Sequence, residues 1–244
     1  MTLRVLREGP QPAAWNMAVD EALLRLARTP TLRLYSWQPH AVSLGWFQRR
    51  ADFADLPPGT VVVRRLTGGG AIHHGDELTF SLAAAPGLLP GDIAASYALL
   101  HDAALAALRA VGVAATRCTT GEAATARPRE RWCFATPGEG DLVTARGKLL
   151  GSAQRRLALP QPRLLHHGSL VLTQPALTPF VAAVADAAPP DAALRARLGD
   201  ALVAGMAAAL GMTPHDGELD AAERDLAARL ARERYGDPAF TCAR

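Results

Sequence analysis

A chain of 244 residues, 49% hydrophobic and 20% charged, has the composition of a folded globular protein long enough to bury a substantial core. Its formal charge of +3 comes from dispersed basic residues rather than a run, so charge alone implies neither a nucleic acid nor a membrane surface as partner. Three cysteines, Cys118, Cys133 and Cys242, with no CxxC pair, are too few and too oddly numbered for a disulfide framework and give no zinc signature.

Residues 1–10 lack the apolar core of a signal peptide, and the longest apolar stretch, residues 201–212, falls short of the ~20 residues that span a bilayer. The expectation is a cytoplasmic chain with reduced thiols. Residues 13–27 mix Met17, Leu23, Leu24 and Leu26 with Asp20, Glu21 and Arg25 between two prolines, which predicts a half-buried helix. Short apolar runs at residues 32–37, 41–46, 61–64 and 78–84, separated by Pro and Gly, predict strands. Residues 97–111, rich in Ala and Leu, predict a helix, followed by a weakly patterned loop over residues 121–131. Strand patterns resume at Cys133 and over residues 142–145, 148–154 and 164–172. The remainder reads as helical, with Leu219, Leu226 and Leu230 on one face of the last helix. This order predicts an α+β fold with a mixed or mostly antiparallel sheet flanked by helices. Pro189 and Pro190 mark a junction, so residues 1–244 form one domain with a helical extension from about residue 190.

Three segments carry chemistry. In Arg64-Arg65-Leu66-Thr67-Gly68-Gly69-Gly70-Ala71-Ile72-His73-His74 a strand ends in a glycine triplet, which lets backbone N–H groups approach an oxygen anion closely. Three glycines alone fit a flexible hairpin turn equally well. In Gly147-Lys148-Leu149-Leu150-Gly151-Ser152-Ala153 a lone lysine opens an apolar strand, where its compact charge suits a bound carbonyl or phosphate, or simply a hairpin. His166-His167-Gly168-Ser169 is weaker, because a histidine at a strand start is usually a hydrogen-bonded structural group.

Together these segments resemble the lipoate-protein ligase and octanoyltransferase superfamily, whose catalytic domain also includes biotin-protein ligases. The resemblance covers nearly the whole chain: Asn16-Met17-Ala18-Val19-Asp20-Glu21 is similar to the family's first helix, and Tyr35, Trp37, Pro39, Ser43, Gly45 and Gln48 to its following strand pair. Arg65, Gly68, Gly69, Gly70 and His74 match its acyl-binding loop, Lys148 its central lysine, and His167-Gly168-Ser169 its later strand. The adenylate loop of the biotin branch has no counterpart. Cys133-Phe134, followed by Pro137 and Asp141-Leu142-Val143, resembles the nucleophile region of the cysteine-dependent octanoyltransferases. Taken alone, Cys133 would be a small buried core residue.

The resemblance implies the biotin/lipoate-ligase type of fold, with Cys133 and Lys148 as catalytic residues. It implies a substrate site of Arg65, Gly68, Gly69, Gly70, His74, Gly151, Ser152, Ala153 and His167, and no metal or cofactor. The expected reaction moves an octanoyl group from acyl carrier protein to a lysine of a lipoyl domain or glycine-cleavage H-type protein. Arg49, Arg50, Arg155 and Arg156 are candidates for docking these acidic partners, and nothing requires more than a monomer. Two departures stand out: Gly70 replaces an arginine common in related transferases, and Gly138-Glu139 replaces bulky aromatics. The triple glycine is closer to the ligase pattern, so an ATP- and Mg-dependent lipoate-protein ligase is the first rival. A non-catalytic acyl- or carrier-binding module is the second.

Overall fold

The computed structural model describes residues 1–119, 131–158 and 161–243. In chain order the elements are β1 (Thr2–Gln11), α1 (Ala13–Leu26), β2 (Thr31–Trp37), β3 (Ala41–Leu44), β4 (Val61–Arg64), β5 (Ile72–His74), β6 (Glu77–Ala84), α2 (Ile93–Ala110), β7 (Thr116–Arg117), β8 (Leu142–Thr144), β9 (Gly147–Leu157), β10 (Arg163–Val171), α3 (Ala192–Ala209), β11 (Thr213–Asp216), α4 (Ala221–Leu230) and α5 (Pro238–Cys242). Eight strands form a mixed sheet in the order β11-β1-β2-β6-β10-β9-β8-β7, and β4-β3-β5 form a smaller one. The pairs β11·β1, β1·β2 and β3·β4 are parallel and the rest antiparallel.

Period-2 alternation divides the large sheet into two faces. Leu32 and Leu34 of β2, Phe80 and Leu82 of β6, and Leu164 and Leu170 of β10 form one core with Leu100, Leu108, Leu198, Leu202 and Met206 of α2 and α3. The other face places Tyr35, Trp37, Ala83 and Leu165 against Met17, Leu23 and Leu24 of α1 and Ala227 and Leu230 of α4. Aspartates start α2, α3 and α4: Asp92, Asp191 and Asp220 each accept the N–H three residues on, and Glu223 closes a capping box with Asp220.

One irregularity positions the site. Along β9 the register against β8 jumps, Leu142 facing Leu150 while Val143 faces Lys148. The extra residue makes a bulge, so Leu149 and Leu150 both enter the core shared with α2 and α3. Lys148 therefore turns to the same side as Gly151, where simple alternation would have buried it beside Leu150.

Several sequence expectations need correction. Cys133 is not in a strand but in a turn, its N–H bonded to Ala71 O at 2.8 Å, and the paired residue there is Trp132. The strand over residues 41–46 stops at Leu44, and Gly45 packs on the glycine loop, where a Cβ would lie 1.9 Å from Gly69 O. The helix over residues 97–111 begins four residues earlier, behind its Asp92 cap. The part after residue 172 is not all helical: β11 joins the sheet edge beside β1, and Leu219 precedes α4 rather than lying on it. Apart from Arg131, the loop expected over residues 121–131 lies outside the described residues.

Candidate active site

A cavity of about 440 Å³, part of it open to solvent, lies between the two sheets. The large sheet contributes Tyr35, Trp37, Thr79, Gly151, Ala153 and His167. Across from them stand Ser43 of β3, Ile72 and His74 of β5, and Arg65, Gly68 and Gly69 of the loop between β4 and β5, while Met17 of α1 and Cys133 complete the wall. Residues separated by more than 100 positions thus meet because β3 and β5 lie over β6, β9 and β10.

Cys133 and Lys148 face each other at this cavity. Lys148 Nζ lies 3.6 Å from Cys133 Sγ and donates to Cys133 O at 3.3 Å. Asp141 Oδ2 holds the ammonium at 2.7 Å and also accepts the Gly138 N–H at 2.7 Å. Burial opposes the charge on Lys148, yet Cys133 and Asp141 outweigh it and hold the ammonium above the usual lysine value. Gly151 makes the approach possible, since a Cβ there would stand 2.2 Å from Lys148 Cε. Gly138, one of the two residues standing in place of bulky aromatics, donates its N–H to Asp141, and Gly140 at φ +88° completes the turn that presents Asp141 to Lys148.

The glycine loop is braced from within. Buried Arg65 donates through Nη2 to Gly68 O and Gly70 O, both at 2.7 Å, and through Nη1 to Ser43 O at 3.0 Å. Burial pulls its pKa below the ordinary arginine value, against the favourable influence of Cys133. Its hydrogen-bond partners are carbonyls and hydroxyls, so its charge remains available to an anion in the cavity. Arg64 turns away and binds Thr241 O at 2.6 Å, tying α5 to the loop. Gly70 sits behind the cavity against the Cys133 turn, where a Cβ would meet Cys133 N at 2.7 Å and Cα at 3.0 Å. This contact accounts for glycine in place of arginine. Gly70→Ala should displace the Cys133 turn and so slow any reaction of its thiol about 10- to 100-fold, with the rest of the fold kept. Single-turnover rates beside thermal midpoints check this, and an unchanged rate would contradict the packing.

His167 belongs to a fixed chain. Its Nδ1–H donates to Asp20 Oδ2 at 3.3 Å, and its Nε2 accepts from the Thr67 hydroxyl at 2.7 Å, itself an acceptor from Arg65 Nε at 3.2 Å. Asp20 also accepts from Arg33, Tyr35 and Ser81. Burial would raise the Asp20 pKa, but the bond to His167 and the charge of Arg33 hold it below the usual carboxyl value. His74 stacks on Trp37, ring centroids 3.7 Å apart at 11°, and reaches Ser43 and Glu77. Ser152 accepts no free position either: its hydroxyl meets His101 Nε2 at 2.7 Å, while His101 Nδ1–H donates to Gly140 O at 2.6 Å.

The structure thus gathers Arg65, Gly68, Gly69, His74, Cys133, Gly151, Ser152, Ala153 and His167 on one cavity, with Gly70 and Lys148 just behind. Sequence reasoning did not single out Asp141, Asp20, Thr67, Ser43, Glu77 and His101 as site residues, though Asp141, Asp20, Thr67 and Ser43 lay inside the quoted motifs. His101 gave no signal, being one polar residue in an alanine-rich helix. Of the arginines considered for docking, Arg49 pairs with Asp52 and Arg156 bonds Pro90 O and Gly91 O, whereas Arg155 lies over the Trp46 ring. Among the described residues no helix is long and apolar enough to cross a membrane, and no cluster of three metal-ligating side chains occurs.

The chain is 35% identical to "Octanoyltransferase LipM" of Kyrpidia tusciae, over 97% of each chain, and 34% identical to that of Symbiobacterium thermophilum, over 96% of this chain and 95% of the relative. The fold matches the structure of lipoate-protein ligase A bound with ATP at a TM-score of 0.79, with 23% identity over 99% of both chains. It also matches the bi-partite lipoate protein ligase of Thermoplasma acidophilum at 0.71, with 21% identity over 99% of this chain and 96% of that one. The family model of the lipoyl protein ligase A/B catalytic domain matches residues 12–213. On that match and those identities, the chain belongs to the lipoyl protein ligase A/B catalytic-domain family.

Proposed function

We propose that this protein is an octanoyltransferase of lipoate biosynthesis, working through a thioester on Cys133. The observation that carries the reading is the ammonium of Lys148 set 3.6 Å from the Cys133 sulfur and anchored by Asp141. A cation beside a thiol favours the thiolate, which is the nucleophile. The near-full-length identity to octanoyltransferases supports the same reading.

In the first step the Cys133 thiolate attacks the octanoyl thioester of acyl carrier protein, the bond to the carrier sulfur breaks, and the carrier leaves as its thiolate. Thioester exchange is nearly balanced in energy, so the enzyme needs to stabilise only the tetrahedral oxyanion. Lys148 and the N–H of Gly69, which lines the cavity, serve that role, each such donor lowering the barrier by about 3 kcal/mol. In the second step the neutral lysine amine of a lipoyl domain, or of an H-type glycine-cleavage protein, attacks the acyl-enzyme; the C–S bond to Cys133 breaks, its sulfur takes up the proton that the nitrogen loses, and the amide is released. A lipoate ligase of T. acidophilum described with its E2 lipoyl domain supports this class of acceptor. The apolar walls of Met17, Tyr35, Trp37 and Ile72 take the acyl chain, each buried methylene contributing about 0.8 kcal/mol and so measuring its length. Neither ATP nor a metal takes part in this scheme.

The expected result is octanoyl transfer to a lipoyl domain from octanoyl carrier protein without ATP, abolished in Cys133→Ser. Transfer that needs ATP and free octanoate, and survives in Cys133→Ser, would establish a ligase instead.

A further inference from the structure

The same cavity holds a second nucleophile arrangement that octanoyl transfer does not use. Ser43 Oγ lies 2.7 Å from His74 Nε2, and His74 Nδ1 lies 2.8 Å from Glu77 Oε1. A carboxylate only accepts, so Glu77 fixes the proton on Nδ1 and leaves Nε2 to receive the Ser43 proton. Thr79 donates to the same Glu77 oxygen, and Trp37, stacked on the imidazole, donates to Thr79 at 2.8 Å, so both ring and carboxylate are held. Arg65 Nη1 donates to Ser43 Oγ at 3.2 Å, placing a fixed positive charge where an alkoxide would form. Glu77 is only 2% exposed, and burying such a group is costly. A strand facing an apolar acyl cavity would be better filled by a small apolar side chain than by this polar set.

We propose that Ser43, His74 and Glu77 form a second acyl-reactive centre, a serine-hydrolase triad that cleaves acyl thioesters in the cavity to free carboxylic acid. The order of roles is that of nucleophile, base and orienting acid, which identifies such a triad on any fold. Ser43 Oγ bonds to the thioester carbonyl as its proton moves to His74 Nε2. The C–S bond then breaks, and the leaving thiolate takes that proton. Water adds to the resulting serine ester, its proton passing to His74. The C–Oγ bond breaks, Ser43 recovers the proton, and the carboxylic acid departs. That the cavity takes acyl chains rests on the transferase reading, whereas the reactivity of Ser43 rests on the triad geometry alone.

Two measurements on the full chain test this. The wild type is treated with an octyl fluorophosphonate, in which Ser43 Oγ would bond to phosphorus with loss of fluoride, and the labelled residue is mapped by mass spectrometry. Separately, thiol release from octanoyl-pantetheine is followed for Cys133→Ala, for that variant with Ser43→Ala, and for it with His74→Asn, thermal midpoints confirming that each is folded. The expected result is label on Ser43 and slow turnover by Cys133→Ala that either second change lowers on the order of 100-fold. An unlabelled Ser43, or turnover unchanged by Ser43→Ala, would overturn the proposal even with Cys133 acylated normally in the wild type. Ser43 labelling and turnover without any Cys133 acylation would remove the transferase reading and leave this one standing.

Discussion

Lys148→Met should slow single-turnover acylation of Cys133 by about 10²–10³-fold, the loss typical of removing one charged donor at a developing oxyanion. In the proposed scheme the lysine, 3.6 Å from the Cys133 sulfur, places its charge beside the carbonyl oxygen as the tetrahedral intermediate forms. Its surroundings magnify the effect, because Nζ is buried among Cys133, Asp141 and the Phe134 ring, 4.9 Å to the centroid, where water screens little. Asp141→Asn should cost less, because the cation stays but loses the anchor that aims it. Quenched-flow mass spectrometry gives both rates, and a Lys148→Met rate within about threefold of wild type would contradict the assigned role.

The largest stability effect is expected at Asp20. Arg33 is fully buried on β2 and is held by Asp20 at 3.0 Å and Glu8 at 2.6 Å. Asp20→Asn keeps the shape but removes one of the two carboxylates paired with a buried guanidinium, Glu8 remaining, and loss of such a partner costs up to about 3 kcal/mol. For a domain of this size that lowers the thermal midpoint by up to roughly 6–12 °C. The pH dependence follows from the sign of the shift. The folded-state pKa of Asp20 lies below the usual carboxyl value, so its contribution is complete above about pH 4 and is lost as acid protonates it. Wild type should therefore lose stability below about pH 4 more steeply than Asp20→Asn. Calorimetry across that range checks both statements, and parallel curves would contradict them.

Much of this was legible in the sequence. The apolar runs at β2, β6 and β10 were legible because each strand buries one face against α2 and α3 and the other towards α1, and α1 lies between Pro12 and Pro30. The site residues were legible through motifs, since glycines at Gly45, Gly70 and Gly151 stand where a side chain would strike backbone or Lys148. What escaped was nonlocal. The strands β1 and β11 have little alternation of their own, and their parallel pairing joins the first residues to residues 213–216. The bulge that aims Lys148 shows only as two adjacent leucines, which any strand pattern would split between faces. The Cys133 turn exists because Ala71 pairs with Trp132, a contact that no local pattern encodes. The roles of Asp141 and His101 depend on contacts with Lys148, Ser152 and Gly140 that appear only in three dimensions.

The most direct test of the central claim is intact-protein mass spectrometry after incubation with octanoyl carrier protein and no ATP, comparing wild type with Cys133→Ala. The expected result is an octanoyl adduct on the wild type that is absent from the variant and disappears when a lipoyl domain is added. No adduct on wild type, with a lipoyl domain modified only when ATP and free acid are supplied, would contradict a thioester on Cys133.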